Sequence, residues 1–318
     1  CNKINNYEMS NFILNYLEDN EFNNLLKNLF NLNKYSNNEY LINVIEKLIQ
    51  YDINYTIPCY INYFYFLCFN NNNNKLLKIA LSKFHRMLFP KININYKLNY
   101  NNKKKKIGFI STNFKLHSVG RDRTGIIVNL DRNLFDIIIF YFNKYDNDVY
   151  FNLLWNSNSK NIILGNEFDD WSKTILNENL DVLVYCDIGL QEETYLLSHY
   201  RLSKKQITTW GHSETTGINT IDYFISSELY EIEKAQEHYS ENLILHKSLC
   251  TYYYDKFYDL IHLNKKEEFF DLNKNFTITY LQYLHKISNE DLILIVNILK
   301  EIDNIKIVFI NGSNNLKD

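Results

Sequence analysis

Three patches of this 318-residue chain combine side chains suited to proton transfer, anion binding or sugar binding. The first is Ser111-Thr112-Asn113-Phe114-Lys115-Leu116-His117-Ser118-Val119-Gly120-Arg121. His117 could act there as a base or donate to a developing charge, because an unperturbed imidazole titrates near neutrality. The competing reading is a loop histidine with a structural task. The second patch runs from Thr208 to Gly217 and holds Trp210, Gly211, His212, Thr215, Thr216 and Gly217. An aromatic, an imidazole, a carboxylate and hydroxyls between two glycines could hydrogen-bond a sugar, a phosphate or a peptide backbone. An ordinary Ser/Thr/Gly turn capping a strand would look the same. In the third patch Gln282, His285 and Lys286 precede an expected helix, whose N-terminus would help a lysine hold a diphosphate. A solvated surface lysine is the alternative.

Other chemistries are not announced. Neither GxGxxG nor GxxxxGK[ST] is present, so there is no dinucleotide fingerprint and no Walker A loop. His212 and Glu214 would need further partners to ligate a metal, and no metal or cofactor is expected. The five cysteines form no CxxC pair and read as reduced thiols of an intracellular protein. A net charge of -3 gives no general attraction to nucleic acid or anionic membranes. The apolar stretch Tyr60 to Phe69 is about half the length a membrane span needs, and the N-terminus does not read as a signal peptide. These features point to the cytoplasm. Lys103-Lys104-Lys105-Lys106 reads as a solvated linker, or as a nuclear address. The tyrosines at 252–254 and Tyr258 suit packing between domains better than base stacking.

The elements that must position these patches fall into three stretches. With 46% hydrophobic and 16% aromatic residues the chain can bury a large core. Asn, Ile, Lys and Tyr are abundant, which we read as genomic drift on the surface; the run Asn70 to Asn74 is then a drifted loop. Residues 1–100 show apolar spacing of three and four up to Pro90, which predicts a stack of short helices resembling degenerate tetratricopeptide repeats. Residues 101–250 alternate short apolar runs with helical stretches. Strands are expected at Ile107–Ser111, Phe135–Phe142, Asn161–Leu164, Asp181–Asp187, Gln206–Trp210, Tyr223–Ser226 and Leu243–Leu245. Helices are expected at Gly125–Arg132, Phe168–Leu176, Glu192–His199 and Ile232–His238. That alternation predicts an α/β parallel sheet with helices on both faces. Residues 251–318 form a linker and then one βαβ unit: Phe276–Tyr280, Asn289–Glu301 and Ile305–Ile310. Both chain ends look cut, as in a fragment of a longer protein.

In this order, the three patches resemble the O-GlcNAc transferase family, tetratricopeptide-linked glycosyltransferases with a twin-Rossmann GT-B fold. The resemblance rests on Ser111 to His117 and the continuation to Arg121, which is similar to the bacterial-type branch. It rests also on Tyr185-Cys186-Asp187-Ile188-Gly189, on the long block Thr209 to Ser227, on Glu237-His238-Tyr239-Ser240-Glu241 and on Gln282 to Lys286. It covers roughly residues 54–312.

The resemblance implies a complete first Rossmann-like half and the beginning of a second. It implies inverting, metal-independent transfer of a sugar, usually GlcNAc from UDP-GlcNAc, to Ser or Thr hydroxyls of intracellular protein acceptors. His117 would sit at the reacting centre, and Lys286, with Gln282 nearby, would neutralise the leaving diphosphate. The Trp210–Gly217 loop would shape the acceptor side. The chain departs from the family in four ways: Asn113 replaces an Asp, Ser118 replaces a frequent Pro, and Arg121-Asp122-Arg123 occupies an apolar helix start. The later donor-binding block is missing before Asp318. The 318 residues are therefore expected to be inactive alone. Two alternatives stay open: a truncated, protein-binding relative, or an enzyme using another donor, fucose or glucose, the latter onto Asn.

Overall fold

In the computed structural model, the described residues are 73–89, 104–253, 276–283 and 287–310, with 39, 42, 43, 45, 46 and 49. The chain divides into two compact units, Cys1–Tyr254 and Asp255–Asp318. Most of the expected helical stack, including Tyr60 to Phe69, lies outside the described residues. Helix α1, Lys75–Leu88, is the described end of it, and Ile45 packs with its Leu77, Leu81 and Phe84.

The first unit is a seven-stranded sheet: β1 (Lys105–Ser111), β2 (Phe135–Tyr141), β3 (Lys160–Ile163), β4 (Val182–Tyr185), β5 (Lys205–Thr209), β6 (Tyr223–Ser227) and β7 (Asn242–His246). Its spatial order is β3-β2-β1-β4-β5-β6-β7, and every pairing is parallel. Connecting helices are α2 (Ser118–Asn129), α3 (Val149–Trp155), α4 (Phe168–Asn177) and α5 (Glu192–Ser198). This is the doubly wound Rossmann-like arrangement that the alternating pattern predicts.

Period-two alternation explains the two layers. In β2, Ile138 and Phe140 join one core with Leu77, Leu81 and Phe84 of α1, Ile175 of α4 and Tyr195 of α5. Ile137, Ile139 and Tyr141 of the same strand face the other core, with Val119 and Ile127 of α2 and Phe151 and Leu154 of α3. A strand buried on both faces reads as a continuous apolar run. Truncating Phe140, which is fully buried, to alanine is expected to cost about 3–5 kcal/mol.

Two boundaries differ from the pattern-based expectation for local reasons. Helix α2 begins at Ser118, seven residues before the expected Gly125, because His117 caps it. Its buried stripe is Val119, Gly120, Arg123, Thr124 and Ile127, so small residues and a buried arginine replace the apolar signal. The three charges at 121–123 therefore do not prevent close packing. The stretch Ile232–His238 holds only a 3-10 turn, Ala235–His238, because Lys234 is left-handed with φ 64°. Helix α3, which no apolar period announced, is capped by the Asp148 carboxylate accepting from the N–H groups of Tyr150 and Phe151.

The second unit shows the expected βαβ: β8 (Phe276–Tyr283), α6 (Asn289–Glu301) and β9 (Ile305–Ile310), with the strands parallel. A capping box opens α6: Ser288 Oγ accepts from Asp291 N–H while the Asp291 carboxylate accepts from Ser288. Among the described residues no helix is long and apolar enough to cross a membrane.

Candidate functional site

Strands β1 and β4 are neighbours, yet the chain leaves β1 toward β2 and leaves β4 toward β5 on the opposite side. In open α/β sheets the crevice beyond the strand ends at this reversal is where ligands bind. Its walls are the loop after β1, residues 111–117, and the loop after β4, residues 186–191. The loop after β5, residues 210–217, lies next to them.

His117 stands at the mouth of the first loop as the N-cap of α2. Its backbone is extended (φ -146°, ψ 159°), and its Nδ1 accepts a hydrogen bond from the Val119 N–H at 3.2 Å. A ring nitrogen that accepts carries no proton, so neutral His117 holds its proton on Nε2. Burial pushes its pKa below the usual imidazole value, and the Lys115 charge adds to this; Asp122 opposes both. At neutral pH the group is thus an uncharged N–H donor. Of the two roles open at the sequence level, this geometry favours donation over proton abstraction at Nε2.

The loop that carries His117 is held by a residue not counted among the candidates, Asp187, at the end of β4. Its Oδ2 accepts from Ser111 Oγ (2.7 Å), Thr112 N–H (3.1 Å), Thr112 Oγ1 (3.1 Å) and Asn113 Nδ2 (3.0 Å). Backbone bonds extend the order outward: Lys115 N–H donates to Asn113 O, and His117 N–H donates to Lys115 O. The Asp148 carboxylate also accepts from the Leu116 N–H at 2.6 Å. Asp187 is fully buried. Burial raises its carboxyl pKa, while hydrogen bonds from Ser111, Thr112, Asn113 and Thr194 pull it back down. Asn113, where the family resemblance leads one to expect an aspartate, lets this network form; a second carboxylate against Asp187 would repel it.

The 210–217 loop divides into two parts. Gly211 and His212 lie against the loop after β4, while the Trp210 ring packs on Tyr230 and the cluster of Phe224, Ala235 and Tyr239. A Cβ on Gly211 would fall 1.9 Å from the Cys186 carbonyl oxygen, so only glycine allows this close approach. His212 is buried and accepts at Nδ1 from the Glu214 N–H at 3.4 Å. Thr215 and Thr216, by contrast, commit their hydroxyls to Glu241, a buried carboxylate beyond the 3-10 turn. Thr215 Oγ1 donates to Oε2 at 2.6 Å, Thr216 N–H donates to Oε1 at 2.8 Å, and Thr216 Oγ1 also reaches Oε1. Gly217, at φ 71°, packs against the Lys78 backbone of α1. Beside it, Glu214 pairs with the buried Lys78 ammonium at 2.8 Å and accepts from Asn74 Nδ2 at 2.7 Å. This half of the loop docks α1 on the sheet.

Gln282 is exposed near the end of β8. Lys286, with His285, lies outside the described residues. Helix α6 already carries Glu290 and Asp291 in its first turn. Its N-terminal dipole is met by acidic side chains, which weakens the help it could give in holding an anion.

No protein-family model matches the chain, and no curated protein sequence does. Among solved structures, the chain is similar to a mutant form of the O-GlcNAc transferase of Thermobaculum terrenum. The TM-score is 0.61 at 15% identity, over 91% of this chain and 54% of that one. The chain is GT-B-like in fold. It spans about half the length of that protein, and at this identity the likeness concerns fold alone. A second match, to a protein described as a UDP-N-acetylglucosamine 2-epimerase of Listeria monocytogenes, has 11% identity and covers 65% and 62% of the two chains. Its TM-score of 0.31 carries no weight.

Within the GT-B-like fold, the missed residues are all carboxylates at the borders of elements. Asp187 ends β4, Asp148 precedes α3 and Glu241 precedes β7. Only Asp187 could have been picked out, as an acid at a strand end in an open parallel sheet.

Proposed function

We propose that this chain forms the first half, and the opening of the second, of a transferase moving a sugar from a nucleotide sugar to a protein hydroxyl. UDP-GlcNAc is the donor and Ser or Thr the acceptor in this reading. The observation that carries it is a neutral, N–H-donating imidazole at the switch point of a GT-B-like sheet, buttressed by Asp187. The reaction is a displacement at the anomeric carbon. The acceptor oxygen forms a bond to that carbon, the bond to the phosphate oxygen breaks with its electron pair, and the acceptor proton passes, directly or through water, to an oxygen of the departing diphosphate.

In this scheme His117 Nε2–H donates to an oxygen of the bound substrates and fixes their approach, which is a positioning gain. Negative charge grows on the departing diphosphate, and Lys286, with Gln282 beside it in sequence, would meet it. No metal or cofactor takes part in the scheme. Trp210, Gly211 and His212 would face the acceptor, while Thr215, Thr216 and Gly217 serve by holding that loop against α1 and Glu241.

The test, made on the intact protein with its natural C-terminus, is transfer of radiolabelled GlcNAc from UDP-GlcNAc to a library of Ser/Thr peptides. Transfer that falls at least about a hundredfold in His117→Ala supports the reading. Transfer unchanged by His117→Ala refutes the assigned role. If neither transfer nor UDP binding occurs with any nucleotide sugar, the protein-binding alternative takes its place.

A further inference from the structure

Arg123 is an arginine without an anion. It lies on the inner face of α2 with 4% of its surface exposed. Among the described residues its single hydrogen bond is from Nη1 to the Cys250 carbonyl at 2.5 Å; Nε and Nη2 are buried and find no partner there. Among the described residues no carboxylate lies within ion-pair distance of it. Its sequence neighbour Asp122 instead takes a hydrogen bond from the Tyr253 hydroxyl. Burying a guanidinium this way is costly unless something completes its hydrogen bonds.

The surroundings supply more donors and few acceptors. Cys250, whose carbonyl meets Arg123, sends its thiol to the Ser226 carbonyl at the end of β6. Tyr230 interacts with the Cys250 side chain, and its ring meets Trp210 edge-on with centroids 4.8 Å apart. Trp210, the first residue after β5, has a buried indole Nε1–H without a hydrogen bond of normal geometry. The under-satisfied Arg123 guanidinium thus meets Cys250 directly, and the Trp210 indole, held by no more than a poorly aligned contact with the Tyr230 hydroxyl, is joined to Cys250 through Tyr230, beyond the ends of β5 and β6. Arginine's fork suits a two-oxygen anion.

We propose that Arg123 and Trp210 form an oxyanion subsite that takes a carboxylate or phosphate group of a ligand. The ligand reaches it past Trp210, which is half-buried, and Tyr230, which is 41% exposed. Binding displaces the Cys250 carbonyl, the one acceptor now held by Arg123. Tyr252 and Tyr253, which follow Cys250 along α2, are exposed, and the bonds binding must loosen there are those from the Tyr252 N–H and the Tyr253 hydroxyl to Asp122. The inference stands on this cluster and not on the sugar-transfer reading.

Thermal unfolding of the full chain tests it, with sodium pyrophosphate, a glutamate-rich peptide and sodium chloride at matched ionic strength. A true ligand at a hundredfold excess over its Kd raises the wild-type midpoint by about 5 °C or more. Arg123→Gln, which removes an unpaired buried charge, keeps at least wild-type stability and loses most of that rise. Whether pyrophosphate or the peptide acts tells phosphate from carboxylate recognition. In parallel, the indole N–H resonance that Trp210→Phe removes shifts when wild-type protein is titrated with the same anion. This second reading stands even if Arg123→Gln does not fold. A rise equal to that of chloride, a rise undiminished in Arg123→Gln, or a static Trp210 resonance overturns the subsite. Absence of sugar transfer leaves these outcomes untouched.

Discussion

Acid should release α1 from the sheet. His85 of α1 is buried, its Nδ1 2.9 Å from the Tyr195 hydroxyl of α5. Next to it His199 is packed between Phe89 and Tyr195, with ring centroids 4.9 and 4.8 Å away. Burial holds the His85 pKa at about 4 instead of 6.5. It holds His199 well below 6.5 too, helped by the charges of His85 and Arg86. The unfolded chain therefore binds protons that the folded chain refuses. The stability this represents is intact above pH 6.5, is lost progressively as pH falls from 6.5, and stops changing for His85 below about pH 4. At about 1.4 kcal/mol per pH unit, the His85 contribution to the loss is about 3 kcal/mol. Urea unfolding from pH 7 to 4 should show wild type losing that much more than His85→Gln, which keeps a hydrogen-bonding partner for Tyr195 but cannot be protonated. Equal pH dependence in the two proteins would refute the reasoning. Because α1 carries Lys78 and Asn74 to Glu214, the 210–217 loop should loosen in the same range.

Two further outcomes follow from the crevice. Asp187→Ala leaves the donors of Ser111, Thr112 and Asn113 without their acceptor and should cost about 3–5 kcal/mol by urea unfolding. Asp187→Asn, which keeps one oxygen, should cost about 1–3 kcal/mol. Gly211→Ala forces a Cβ to 1.9 Å from the Cys186 carbonyl and should cost about 1–3 kcal/mol or more. Gly165→Ala, whose Cβ would meet atoms no nearer than 3.6 Å, should stay within about 0.5 kcal/mol of wild type.

Period and composition made the sheet legible. Runs such as Ile137–Tyr141, apolar throughout, have no other stable home than a parallel sheet covered on both faces. Strand order was not written in those runs, since it depends on where each crossover lands. The start of α2 was hidden because its buried stripe uses Gly120, Arg123 and Thr124 where an apolar period would use leucines. His117 and the Trp210 loop could be named from residue type and neighbours. What the types did not reveal was how the second patch splits, with Thr215 and Thr216 bound to Glu241, 26 and 25 residues further on. Nor did they reveal that one buried carboxylate, Asp187, ties down three consecutive residues of the first patch. Such ties join residues about 75 positions apart, and no local pattern encodes them.

The account turns on the protonation of one ring. Long-range nitrogen–proton NMR on imidazole-labelled protein, with His117→Ala to assign the signal, reads it directly. At pH 7 His117 should be neutral with its proton on Nε2, and both nitrogens should shift when UDP-GlcNAc is added. A His117 that is charged at pH 7, protonated on Nδ1, or unmoved while the nucleotide sugar is bound would contradict the account.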